Sequence, residues 1–189
     1  MNVLHVTDEA NRDACLARLC AEHYGKAAGL APLVTFAGTR RVLFVEQAAR
    51  LLALVNGEGA PLALALLVLD ETGEGMTLAL ACSLTEDDEP RRRLINELAL
   101  KAPLQVSAAD ADQEAFYRRC GITRWFSSGD SERIGVTSRH PARRLADLAA
   151  TLRVDDEIVL RQFKHDPKTF ESEKRRFVDG LAAFPETLT

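Results

Sequence analysis

The stretch of residues 76–126 constrains the fold of this chain more than any other. Residues 76–84 alternate large and small apolar side chains, and this period of two predicts a strand that is buried on both faces. Pro90 suits the first turn of a following helix, where its missing N–H would be unpaired anyway. Pro103 ends that helix, and residues 104–108 predict a second strand.

A second helix follows in the same stretch. Asp110 and Gln113 are spaced as in a capping box, which predicts that the helix begins at Asp110. Gly121 suits the position just after the last turn, since glycine readily adopts the left-handed conformation that ends many helices. The residues ITRWF then predict a third strand, so the stretch has the order strand, helix, strand, helix, strand.

The segment DADQEAFYRRCGI, residues 110–122, resembles the late motif of the GNAT acetyltransferase superfamily, which is roughly Asn-x-x-Ala-x-x-Leu-Tyr-x-x-x-Gly-Phe. Tyr117 and Gly121 match it, whereas Asp110, Gln113 and Ile122 replace the Asn, Ala and Phe. The order of elements resembles the family over residues 1–139. The resemblance implies an N-acyltransferase that uses acetyl-CoA or another acyl-CoA, with a small-molecule or protein amine as acceptor.

The resemblance fails at the loop before the first of these two helices. The family's pyrophosphate loop has the pattern Arg/Gln-x-x-Gly-x-Gly/Ala, and Glu86, Glu89 and Arg91 occupy those three positions here. Backbone N–H groups at a helix N-terminus normally hold the phosphates, and carboxylates beside them repel the ligand. Positive charge must therefore replace the glycines if the cofactor binds, which makes Arg91, Arg92 and Arg93 cofactor-binding candidates.

The resemblance also implies roles for other residues. Tyr117 would be the catalytic general acid that protonates the leaving thiolate of coenzyme A. The pantetheine arm would pair with the first strand near Cys82 and Leu84, and Asp110 would lie near the cofactor, although a helix cap explains Asp110 equally well. The candidates for the general base that deprotonates the amine are Glu22, His23 and Glu46. The alternative function is a catalytically inactive GNAT-like module for binding or dimerisation, favoured by the missing glycines.

Upstream, the sequence predicts a meander of antiparallel strands. Residues 51–55 and 61–69 flank the turn Asn-Gly-Glu-Gly, which is a strong hairpin signal. Residues 42–50 fit a helix, but a strand over residues 41–45 is nearly as well supported by its β-branched and aromatic side chains. We therefore expect an α+β, GNAT-like three-layer α/β/α fold with a mixed, mostly antiparallel sheet, plus a C-terminal helical appendage.

The appendage begins where the composition changes at His140. We assign residues 1–139 to a GNAT-like acyltransferase domain and residues 140–189 to a helical extension. The pattern predicts three short helices in the extension, opening at Pro141, Asp155 and Asp166. Short helices are marginal alone, so we expect them to dock on the sheet domain or on a second copy of the chain, which makes a homodimer possible.

Composition excludes several other classes of function. The chain of 189 residues has a formal net charge of −4, so the sequence does not predict a basic surface for nucleic acid or an anionic membrane. Its 4 cysteines lie in apolar stretches without CxxC spacing, and no two histidines have metal-ligand spacing, so no metal is expected. The absence of a signal-peptide pattern and the cysteine placement predict a cytoplasmic protein.

Overall fold

One mixed sheet of seven strands forms the centre of the protein, in a computed structural model that describes residues 1–129 and 131–189. Across the sheet the strand order is β1-β2-β3-β4-β5-β7-β6. Neighbours are antiparallel except for the parallel pair β4 and β5. The strands are β1 Asn2–His5, β2 Ala49–Val55, β3 Pro61–Leu69, β4 Met76–Ser83, β5 Leu104–Ala108, β6 Arg124–Ser127 and β7 Arg133–Val136.

Helices cover both faces of this sheet, which confirms the predicted α+β architecture. On the first face, α1 and α2 bury Leu16 and Phe36 against Leu64 of β3. On the second face, α3 packs over the opposite side of β3, where Ala65 and Leu94 share a core, and α4 packs on β5 and β7. The described residues form the helices α1 Glu9–Tyr24, α2 Ala31–Gly38, α3 Glu89–Lys101, α4 Ala111–Arg119, α5 Asp156–His165 and α6 Pro167–Ala182.

The ends of the helices follow the local signals in the sequence. Asp8 accepts a hydrogen bond from the Asn11 N–H at 2.9 Å and begins α1. Asp110 accepts from the Gln113 N–H at 2.8 Å, while the Gln113 side chain accepts from the Ala109 N–H at 2.9 Å. Gly121 follows α4 with a φ of +89°, a conformation that glycine adopts without strain.

Residues 42–50 form neither of the two elements that the sequence suggested. The chain continues from α2 into a π-helical turn, Thr39–Leu43, and β2 already begins at Ala49. Hydrogen bonds from Phe44 N–H to Thr39 O and from Ala48 N–H to Leu43 O, at 2.9 and 2.7 Å, close this turn. Leu43 and Phe44 are thereby buried in the core of the first face, which a regular strand over residues 41–45 would not achieve.

The helix predicted to open at Pro141 is also wrong. Its region contains only a 3₁₀ turn, Leu145–Asp147, because the backbone that follows bonds elsewhere. Glu71 N–H donates to Ala150 O at 2.8 Å, and Leu152 N–H donates to Leu69 O at 3.0 Å. These bonds tie the segment to the end of β3.

The other two helices of the tail, α5 and α6, begin as predicted and dock on the first face. Phe163 is buried in the first-face core, and the Phe177 ring meets the Phe36 ring edge-on with centroids 5.4 Å apart. These two helices rest mainly on α1 and α2. The domain boundary at His140 stays a prediction, since the tail and the first face share one hydrophobic core.

Among the described residues, no helix is long and apolar enough to cross a membrane. β6 and β7 pair as antiparallel neighbours, and Asp130 lies outside the described residues.

Candidate functional site

The parallel strands β4 and β5 separate soon after they meet. Their register pairs Met76 with Leu104 and Thr77 with Gln105, although both strands continue for several residues beyond. Leu84 N–H donates to Leu62 O of β3, at 2.9 Å. Because hydrogen-bonding direction alternates along a strand, the backbone groups of Ala81 point away from β3 and into the gap between β4 and β5.

A β-bulge lies where the two strands diverge. Leu66 of β3 faces Leu80 of β4, but Leu67 faces Leu78, so Ala79 is an extra residue in β4. A bulge bends its strand and redirects the backbone groups around it. Ala79 is exposed and contributes to the wall of a cavity on the first face.

This cavity, which we call the splay cavity, has a volume of about 470 Å³. Cavities that hold small molecules usually measure about 300–1,000 Å³. Its lining comes from helices, strands and the tail: Tyr24, Val34, Thr35, Gly38, Thr39, Leu43, Leu66, Val68, Thr77, Leu78, Ala79, Leu80, Gln105, Ser107, Glu132, Ile134, Thr151, Leu152, Arg153, Val154 and Asp156.

The splay cavity has a buried apolar floor and a polar rim. The floor consists of first-face side chains of two neighbouring strands, Leu66, Val68 and Leu80. On the rim, the Tyr24 hydroxyl and Thr35 Oγ1 share a hydrogen bond of 2.9 Å, and the Ser107 hydroxyl donates to the Glu132 carboxylate. Ionised groups in the lining are two carboxylates, Glu132 and Asp156, and the guanidinium of Arg153.

A second cavity of about 320 Å³ lies between the C-terminal end of α1, the end of β4 and the loop before α3. We call it the acid pocket, because four carboxylates and one guanidinium are among its lining residues. They are Glu22, His23, Ala81, Cys82, Ser83, Thr85, Glu86, Asp87, Asp88 and Arg91. This is the loop that replaces the glycine-rich pyrophosphate loop of the resembled family.

The loop of the acid pocket is closed on itself by hydrogen bonds. The hydroxyls of Ser83 and Thr85 both donate to the Asp87 carbonyl oxygen, at 2.7 and 3.1 Å. Asp87 Oδ1 accepts from the Glu89 N–H at 2.9 Å. A carboxylate of the chain itself therefore occupies a backbone donor at the N-terminus of α3, the position at which a phosphate would otherwise bind.

The three candidate arginines differ in their surroundings. Arg91 lines the acid pocket, bonds Asp88 at 2.6 Å and stacks on the Phe116 ring at 4.3 Å. Arg92 donates from Nε to Glu89 at 2.8 Å, and this bond lowers the pKa of the Glu89 carboxyl. Arg93 is exposed. Two of the three guanidiniums are thus already paired with carboxylates of the acidic loop.

His23 and Glu22 line the acid pocket and not the splay cavity, whereas Glu46 is exposed in the turn before β2. His23 Nδ1 lies 3.5 Å from Ala81 O. Burial lowers the pKa of His23; the contact with Ala81 O opposes this shift, and the Arg91 charge adds to it. Glu22 and His23 are therefore close to the expected path of a ligand along β4, but they lie outside the splay cavity, which could hold an amine.

Tyr117 is half-buried on the second face, where it packs between Phe116 and Trp125, with ring centroids 5.5 and 6.4 Å away. Burial raises the pKa of the phenol, and the Arg91 charge partly offsets this rise. The phenol is thus protonated near neutral pH, as a proton donor must be. Its catalytic role stays a prediction.

The remaining predicted residues have clear structural environments. Asp110 caps α4, Cys82 is buried where it lines the acid pocket, and Leu84 is half-buried against the first-face core. Burial raises the pKa of the Cys82 thiol to about 12, so the thiol is un-ionised and apolar in character. The cofactor roles of these three residues stay predictions. Among the described residues, no group of three or more His, Cys, Asp or Glu side chains is arranged to hold a metal ion.

Sequence reasoning missed the polar residues of the splay cavity. Tyr24, Ser107, Glu132 and Asp156 belong to the end of α1, to β5, to the segment before β7 and to α5. They share no spacing or motif along the chain. Only the sheet topology and the docking of the tail bring them together.

No protein-family model matches the chain, and no curated protein matches it significantly. Several solved structures match the chain. Aminoglycoside 6'-acetyltransferase type Ii matches with a TM-score of 0.51 and 15% identity, over 75% of this chain and 99% of that chain. The aminoglycoside 6'-N-acetyltransferase from Enterococcus faecium matches with a TM-score of 0.51 and 11% identity, over 75% and 99%. A chimera of the Vibrio cholerae spermidine N-acetyltransferase SpeG has a TM-score of 0.48 and 10% identity, over 74% and 96%.

The chain has the fold of the GNAT acetyltransferases, and the resemblance drawn from residues 110–122 is confirmed at that level. Sequence identities of 15% and 11% establish the fold alone. Activity has to be argued from the site, because one fold hosts many functions.

Proposed function

We propose that the protein is an N-acyltransferase that transfers an acetyl or another acyl group from acyl-CoA to a primary amine. The observation that carries this proposal is the gap between β4 and β5, with the Ala79 bulge at its start and the splay cavity on its first face. An exposed strand edge can pair with an extended, amide-containing ligand, which describes a pantetheine arm. The similar solved structures are acetyltransferases that are named for amine-bearing aminoglycosides.

In this reaction, the residues around the gap would have distinct roles. Bound acyl-CoA would supply the activated thioester. Backbone groups of Ala81 and Ser83 would hold the pantetheine arm, and the splay cavity would hold the amine. As the amine nitrogen forms its bond to the acyl carbon, the C–S bond breaks, and the Tyr117 hydroxyl donates a proton to the leaving sulfur. An acceptor that arrives as an ammonium would lose one proton to solvent before the attack and a second as the amide forms, and solvent would return one proton to Tyr117.

The acid pocket fits the diphosphate of the coenzyme poorly. A carboxylate about 4 Å from a phosphate oxygen costs roughly 4 kcal/mol at an effective dielectric constant near 20. Arg91 and Arg92 would have to leave Asp88 and Glu89 to compensate, and exposed ion pairs of this kind are weak enough to exchange. We therefore expect acyl-CoA to bind more weakly than it would to a glycine-rich loop.

The same acid pocket favours a second candidate function, a catalytically inactive GNAT-fold module that binds or self-associates. In that case the gap would be inherited from the fold without accepting a thioester. Symmetric dimerisation and a cytoplasmic location belong to both proposals. All four cysteines are buried free thiols, as is usual for proteins of a reducing compartment.

Calorimetric titration with acetyl-CoA at low and moderate salt, combined with a thiol-release assay on a panel of primary amines, separates the two candidates. Acyl transfer predicts saturable binding and release of free coenzyme A. The salt dependence of the affinity shows which charges dominate. If repulsion by the carboxylates dominates, added salt strengthens acetyl-CoA binding; if attraction by the arginines dominates, added salt weakens it. No binding at millimolar acetyl-CoA would reject the acyltransferase and leave the inactive module.

A further inference from the structure

We propose that residues 151–156 of the tail are the specificity-determining wall of the splay cavity, and that this cavity accepts small primary amines with an apolar body. The proposal rests on the proposed acyl transfer for the identity of the reacting group. It goes beyond that function because it assigns the C-terminal extension to the site itself and names the class of acceptor.

The first part of the wall is fixed at the closed end of the gap. Thr151 Oγ1 lies 2.6 Å from Thr77 Oγ1, and Thr77 is the last residue that pairs β4 with β5. Leu152 N–H donates to Leu69 O at 3.0 Å, which adds a backbone contact to the end of β3. The segment therefore crosses the sheet at Thr77 and Leu69, next to the point where β4 and β5 separate.

The second part of the wall is fixed by packing. Val154 packs against the first-face core and lies against Gly38 of α2, where an added Cβ would come within 3.0 Å of its Cγ1. Beyond it, Asp155 caps α5 by accepting from the Glu157 N–H at 2.9 Å, and Val159 and Phe163 are buried. Anchors on both sides make the segment a rigid boundary, and rigid elements are what fix the shape of a binding site.

The chemistry of the cavity indicates the class of acceptor. Its buried apolar floor suits a hydrocarbon body, whose transfer from water stabilises the complex. The two lining carboxylates, Glu132 and Asp156, outnumber the single guanidinium of Arg153, so an ammonium is favoured over a carboxylate. A volume of about 470 Å³ bounded by the tail suits a small molecule better than an extended polypeptide.

Val154 offers the most direct test, because it touches the cavity and Gly38 but forms no hydrogen bond that the chain needs. The probes are ethylamine, phenethylamine and 4-phenylbutylamine, with 3-phenylpropionate as an anionic analogue. Binding is measured by saturation-transfer NMR on the full chain without acetyl-CoA, and turnover by thiol release with acetyl-CoA. The variants are Val154→Ala and Val154→Leu. The control is Ile158→Ala, a truncation of an apolar side chain at a tail residue that is 52% exposed.

We expect phenethylamine to bind and 3-phenylpropionate not to bind. Val154→Ala should shift the preference toward 4-phenylbutylamine by at least about fivefold, and Val154→Leu should shift it toward ethylamine, because methylene-sized changes in an apolar pocket are selective. Ile158→Ala should leave the preference unchanged. Unaltered preferences in both Val154 variants, or no binding of any amine, would overturn the proposal. If the binding preferences shift but no thiol is released, residues 151–156 still determine amine specificity, and acyl transfer is rejected.

Discussion

The two faces of the sheet are assembled from different distances along the chain. The helices of the second face, α3 and α4, come from one continuous stretch of the chain, residues 89–119. The first face joins α1 and α2 to the tail, and the carboxylate of Glu173 in α6 binds Arg40, 133 residues away in sequence. Features of the second face should therefore tolerate local mutation, whereas cavity shape and stability should be coupled on the first face.

Removal of the tail, residues 140–189, should have the largest effect. It would uncover the first-face core around Phe36 and leave the splay cavity without one wall. Each buried phenylalanine of the tail contributes about 1.5–3 kcal/mol, a large part of the stability of a domain of this size. We expect the truncated chain to aggregate or to melt far below the full chain in thermal circular dichroism. A soluble fragment of equal thermal stability would show that the two faces are independent.

Tyr117→Phe tests the second face, where we expect a change in catalysis without a change in fold. The substitution removes one hydroxyl and keeps the ring between Phe116 and Trp125. If Tyr117 is the general acid, kcat should fall about 100-fold while the dissociation constant of acetyl-CoA stays the same. Phe116→Leu is a useful control, because it perturbs the same packing without touching the hydroxyl. Equal turnover of Tyr117→Phe and the unmodified chain would assign Tyr117 to the core alone.

The same contrast explains which parts of the structure the sequence predicts. Pro90, Asp110 and Gly121 act on their immediate neighbours, so they mark the helices of the second face within a residue or so. The gap between β4 and β5 has no local signal in the sequence. The π-helical turn at residues 39–43 buries Leu43 in a core that it shares with β3 and the tail, and the extended segment at residues 148–155 bonds to Leu69 and Glu71. Both elements thus depend on residues far away in sequence. The wall of the splay cavity was unpredictable for that reason.

Neutralising the acid pocket should strengthen acetyl-CoA binding. In the double variant Glu86→Gln/Asp88→Asn, two negative charges are lost and Arg91 is released from its pair. Asp87 is left unchanged because its side chain accepts from the Glu89 N–H. We expect calorimetry to show about tenfold tighter binding, roughly 1.4 kcal/mol, with the melting temperature nearly unchanged.

Two comparisons sharpen this result. Replacing Arg91, Arg92 and Arg93 together by Ala should act in the opposite direction and weaken binding at least about tenfold. Glu71→Gln, at an exposed position outside the acid pocket, should have no effect. If the double variant binds no better than the unmodified chain, the carboxylates point away from the ligand and the argument against a diphosphate at this loop fails.

The smallest effect should come from His23, where the two faces meet, since α1 of the first face brings this residue to the acid pocket beside the α3 loop. Burial lowers its pKa below the usual 6.5, so the imidazole is neutral at pH 7.5 and gains charge only as the pH falls. A bound diphosphate favours the charged form, so binding takes up a proton and affinity rises toward low pH.

Between pH 7.5 and 6 we expect acetyl-CoA to bind about threefold more tightly, below the tenfold limit per pH unit for uptake of one proton. His23→Gln should abolish this part of the trend and thereby separate it from titration of the ligand phosphates. Protonation also opposes folding, because a lowered pKa gives stability that is present above 6.5 and declines as the pH falls. Each titration therefore needs circular dichroism to show an intact fold. An identical pH dependence in His23→Gln would place the diphosphate away from α1, and hence on the second face alone.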